Sequence, residues 1–88
     1  MRLRGEFVVR KVMDNTVVIP VGQTALKLSG MILLNDVSQV IWQCLEQDAE
    51  LEMIIKAVTD AFDVSDQEAR LDILEFLDKL RNIQLLDD

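Results

Sequence analysis

Cys44 is the only thiol in this 88-residue chain, sixteen residues are Asp or Glu, and histidine is absent. These are the side chains that could do chemistry, and their types limit what chemistry is open. A cysteine attacks as the thiolate and is usually activated by a neighbouring base. Without His there is no Cys–His pair, no Ser–His triad and no imidazole ligand for zinc. Cys44 falls on the apolar face of a helically spaced run, where a lone cysteine acts as a small hydrophobe. The carboxylates stand in first turns of helices or beside bases at helical spacing, the pattern of a solvated face. Glycines at 5, 22 and 30 make no phosphate-cradling loop. No catalytic residue, metal ligand or cofactor is expected, and so no enzyme activity.

The composition says what kind of molecule remains. Eighty-eight residues make one domain, 1–88, whose small core buries roughly 60–65% of the unfolded surface. Half of the residues are apolar, and there are one Pro and three Gly, which suits a folded chain. The net charge of −7 is uneven: residues 1–34 carry five bases against two acids, and residues 35–88 carry four bases against fourteen acids. The acidic part would repel nucleic-acid phosphates and anionic lipid. The basic strip either attracts an acidic partner or guards edge strands against aggregation. The first residues are charged and no apolar run approaches the ~20 residues of a membrane span. With a single Cys ruling out an internal disulfide, the expectation is a cytoplasmic protein with no membrane partner.

The elements that must position any site follow from periodicity. Glu6–Val12 and Thr16–Pro20 are rich in β-formers and are separated by the turn signal Asp14-Asn15. Gly22–Thr24 reads as a loop and Ala25–Leu28 as a brief extension that Ser29-Gly30 breaks. Met31–Leu34 is a third strand. Asn35 caps a helix over about 36–47, with Val37, Val40, Ile41, Cys44 and Leu45 on its apolar face. By 100° per residue Trp42 falls on a flank, at the rim of the core. A second helix spans about 49–62, with Asp48 as cap and Leu51, Ile54, Ile55, Val58 and Phe62 in its stripe. A third spans about 66–82, opened by the capping box Ser65–Glu68. Its stripe is Ala69, Ile73, Phe76, Leu77, Leu80 and Ile83; Arg70, Leu74 and Arg81 line one flank, Asp72 and Lys79 the other. The tail from Ile83 to Leu86 folds back onto the core. The fold class is α+β: a three-stranded antiparallel sheet over about 6–34, followed by three helices.

Helices 49–62 and 66–82 with their short linker imitate a helix-turn-helix, and a winged-helix DNA-binding regulator is one reading. Its reading helix would arrive carrying Asp66, Glu68, Asp72, Glu75 and Asp78 where Lys, Arg, Asn or Gln are needed, which argues against a nucleic-acid partner. A structural oligomerisation module is another, with a homodimer formed through an open sheet edge. A third is a peptide-binding module in which an extended segment adds to that edge as a strand.

The order of three strands then three helices, with Leu34-Asn35, Ile41-Trp42, Phe62-Asp63-Val64, Asp72-Ile73, Phe76-Leu77 and Leu80 at their spacings, resembles the PqqD-like family. Its members are also called RiPP recognition elements. The resemblance runs from about Phe7 to Leu86. It implies a small winged-helix-like domain, without catalysis, that holds the leader segment of a ribosomally made precursor peptide. The leader adds beside the third strand and packs against the third helix. The implied partners are that leader and a modifying enzyme: a radical S-adenosylmethionine enzyme, a cyclodehydratase or a protease. Carried onto this chain, the peptide-binding residues are Met31, Ile32, Leu33 and Leu34 with Arg70, Leu74, Leu77 and Arg81, the arginines meeting acids of the leader. For Leu77, Ile32 and Leu34 a core role stays open. Val37-Ser38 depart from the Thr-Gly often found there. Gln84 stands where Gly usually precedes Leu-Leu, and Asn82 is expected to supply a left-handed backbone nearby.

Overall fold

Nine elements follow one another in the computed structural model, which describes residues 1–88. They are β1 (Arg2–Leu3), β2 (Phe7–Val12), β3 (Asn15–Pro20), α1 (Gly22–Lys27), β4 (Ile32–Leu34), α2 (Asp36–Leu45), α3 (Leu51–Ala61), α4 (Asp66–Asn82) and β5 (Leu86–Asp87). The main sheet is antiparallel in the order β2-β3-β4. Phe7 stands opposite Pro20, Val12 opposite Asn15, and Leu34 opposite Thr16. The central strand β3 is buried at Thr16, Val17 and Val18. The hairpin turns at Met13-Asp14, with Met13 in the left-handed region at φ 59.

The helices stack their apolar stripes over one face of this sheet. Val18 and Leu34 meet Ile41, Trp42 and Leu45 of α2, Ile54, Ile55 and Val58 of α3, and Ala69, Ile73, Leu77 and Leu80 of α4 in one cluster. Trp42 is 2% exposed and meets Phe7 edge-on, with ring centroids 5.3 Å apart at 84°. It lies inside the core, not at the rim expected from the periodicity. The reason is that α2 packs against both the sheet and the other helices, so its buried arc widens to Ser38, Ile41, Trp42 and Leu45.

The strand-to-helix junction is fixed by a reciprocal cap. The Asn35 Oδ1 accepts from the Ser38 N–H at 2.8 Å, and the Ser38 Oγ accepts from the Asn35 N–H at 2.8 Å. Two N–H donors that a helix start leaves orphaned are thereby satisfied. Ser65 caps α4 by accepting from the Glu68 N–H at 3.1 Å, without the return bond of the expected box.

Four local expectations are corrected. Residues 22–27 form a short exposed helix rather than a loop and an extension. Gly22 supplies the left-handed φ of 58 that starts it, and the Thr24 hydroxyl ties it down by accepting from the Glu6 N–H at 2.8 Å. The third main-sheet strand starts at Ile32, one residue later than expected. Glu50, not Asp48, is the cap position of α3; Asp48 turns away at φ 61 and takes the N-terminal amine at 3.0 Å. Gln84 itself is left-handed at φ 62, while Asn82 remains helical. That turn sends Leu85 and Leu86 into the core, where Leu86–Asp87 pairs with Arg2–Leu3 as a second, two-stranded sheet.

Candidate functional site

β4 has β3 on one side and no strand on the other. An unpaired edge presents N–H and C=O groups that another chain can take up. At about 3.3 Å per residue, β4 offers roughly 10 Å of such edge. Beside it runs an open groove of about 660 Å³ between β4 and α4. Met31, Ile32 and Leu33 form one wall, and Phe76, Lys79 and Ile83 stand on the other. Met31 and Leu33 are 61% and 65% exposed. Ile32 and Phe76 are half-buried and pack against the core from this side.

The candidate residues separate into two sets. Met31, Ile32 and Leu33 line the groove, whereas Leu34 points into the core. On α4, none of Arg70, Leu74, Leu77 and Arg81 lines it. Leu77 is buried in the core. The Arg70 Nη2 lies 3.0 Å from Glu52 of α3. The Arg81 Nε lies 3.0 Å from the Asp88 carboxylate and its Nη1 3.0 Å from Asp78. The Arg81 hydrogen bond holds the Asp88 carboxyl below the usual carboxylate range. Both arginines are thus already matched with acids of this chain.

The flank of α4 that does face β4 carries Asp72, Glu75, Phe76 and Lys79, with Ile83 just past the helix end. Periodicity finds this flank as readily as the other, since both border the same stripe. What it lacks is the tertiary information that says which flank meets the strand. Lys79 Nζ lies 3.9 Å from Glu75, so this wall carries charges of both signs beside the apolar Phe76 and Ile83.

Elsewhere the chemistry is sparse. The Cys44 thiol is half-buried, and burial pushes its pKa up, which keeps it protonated. No three His, Cys, Asp or Glu residues converge as metal ligands would. No helix is long and apolar enough to cross a membrane. A free strand edge above an apolar floor can hold an extended polypeptide by main-chain hydrogen bonds, with alternate side chains seated in the groove.

The family model for coenzyme PQQ synthesis protein D (PqqD) matches residues 15–86. The solved structure described as TbiB1 in complex with the TbiA(beta) leader peptide has the same fold. Its TM-score is 0.76 at 24% sequence identity, and the match covers 99% of this chain and 95% of that one. No curated protein sequence matches the chain.

Proposed function

The chain belongs to the PqqD family, and from that membership we propose that it captures the leader segment of a ribosomally made precursor peptide and presents it to a modifying enzyme, without catalysis of its own. The observation that carries the reading is the free edge of β4 beside an apolar groove. A protein of the same fold, TbiB1, was solved with a leader peptide bound, which supports a peptide as occupant. The leader lies along β4 as a fourth strand of the sheet. Its backbone pairs with Ile32–Leu34, alternate side chains descend between Ile32 and Phe76, and those in between lie beside Leu33 on the outer face of the sheet. The modifying enzyme is a radical S-adenosylmethionine enzyme, a cyclodehydratase or a protease acting on the part of the precursor left outside the groove. An uncovered β4 is also where two copies would pair, so the leader and a homodimer compete for one edge.

The test is an amide chemical-shift titration with the leader of the precursor encoded beside this protein's gene. Shifts are expected at Met31–Leu33 and at Phe76, Lys79 and Ile83, with micromolar or tighter affinity. Unmoved amides on both walls at saturating peptide would overturn the proposal.

A further inference from the structure

We propose that the bound leader extends past β4 into a second, basic cleft and places an acidic side chain there; this rests on the leader-binding reading. The cleft has a volume of about 440 Å³, and Arg4, Thr24, Lys27, Asn82, Ile83 and Gln84 are among the residues that line it. None of its lining residues is acidic. Asn82 and Ile83 also line the groove beside β4, so the two depressions adjoin at these residues. The cleft sits where the chain enters β4, at Lys27 and Leu28.

The charge is unspent. In a chain with sixteen acids, Arg2, Lys56, Arg70, Lys79 and Arg81 are each paired with one. Arg4 and Lys27 make no such pair. Glu6, the acid in the adjoining segment, has its carboxylate against Gly22. The backbone that carries the bases is fixed: the Arg4 N–H donates to the Leu85 carbonyl at 2.8 Å, and Leu28 N–H to Thr24 at 2.9 Å. Two unpaired cations on one cleft with no acid in its wall attract a carboxylate. The four steps from Ile32 back to Leu28 span at most about 13 Å of extended chain. An Asp or Glu within about five residues of the strand-paired segment therefore reaches the cleft.

This gives the two ends of the site different tastes. The middle takes apolar side chains, and the end near Leu28 takes a negative one. The arginines expected to meet an acidic leader, Arg70 and Arg81, are replaced in that role by Arg4 and Lys27.

The experiment is a displayed library of random 15-residue peptides, selected on the full chain and, in parallel, on the Leu33→Asp and Arg4→Gln/Lys27→Gln variants. Peptides that need Leu33 are expected to show alternating apolar residues with an Asp or Glu beyond one end. Their affinity should fall about fivefold in the double variant, as for two partly exposed ion pairs, and weaken with added salt. Arg4 and Lys27 are exposed, so the double variant keeps its fold. Leu33-dependent peptides with no acidic preference, bound equally by the double variant, would overturn this inference and leave the leader-binding reading standing. A library yielding no Leu33-dependent binder would overturn both.

Discussion

The two free edges of the main sheet are built in opposite ways. β2 is six residues long, places Arg10 and Lys11 in its middle and stands largely exposed. β4 is three residues long, carries no charge and borders an apolar groove. Charges on an edge strand make a second strand costly to add, because their hydration must be given up. The β4 edge has no such guard. One sheet thus has one edge guarded by charge and one without such a guard, and the second is the edge proposed for the leader.

The largest way to break this contrast is to remove what holds both edges. Trp42→Ala empties the space against Phe7 and should cost about 3–5 kcal/mol, enough to unfold so small a domain. Thermal denaturation followed by circular dichroism reads it. Next in size is a paired substitution. Leu33→Asp should lower leader affinity by about tenfold or more, since burial of a leucine is worth roughly 1.5–3 kcal/mol. Val9→Asp, the same change on the β2 edge, should leave affinity unaltered. Equal losses at the two positions would end the distinction between the edges. Asn35→Ala should destabilise by about 1 kcal/mol through the lost cap, and leader affinity should fall with it as the end of β4 loosens. Urea denaturation and the same titration measure the two effects. Smallest in stability is Arg10→Val with Lys11→Val, within about 0.5 kcal/mol, as expected of exposed sites. Its effect should appear instead as concentration-dependent self-association in sedimentation velocity, because β2 then resembles β4.

How much of this could be read from residues alone varies with the element. The α2, α3 and α4 stripes were legible because their apolar residues recur at helical spacing, and Asn35 marked a true boundary. α1 was not legible. Its six residues are too short for a period, and Thr24 is held by a bond to Glu6 far back in the chain. Spacing puts Trp42 at the rim because one helix's period cannot show that the sheet and the other helices cover it from different sides. The run itself shows only an apolar strand that stops at Asn35; its role as the strand wall at Met31–Leu34 comes from the family resemblance, and Met31–Leu33 do line the groove. The resemblance puts the helix wall at Arg70, Leu74, Leu77 and Arg81, whereas β4 faces Asp72, Phe76, Lys79 and Ile83. Both flanks border one stripe at equal angles, and only packing in three dimensions chooses between them. The acids beside the arginines were visible, but their pairings across α3 and the tail were not.

The clasp between β1 and β5 has a mechanical consequence. Arg2 pairs with Asp87 and Leu3 with Leu86, antiparallel, so residues 1 and 88 leave the clasp on the same side. A load applied between them peels this ladder one bridge at a time instead of shearing it all at once. The clasp is thus a weak fuse in series with the domain: under tension it should part first, while the sheet edge and groove at β4 still hold their shape.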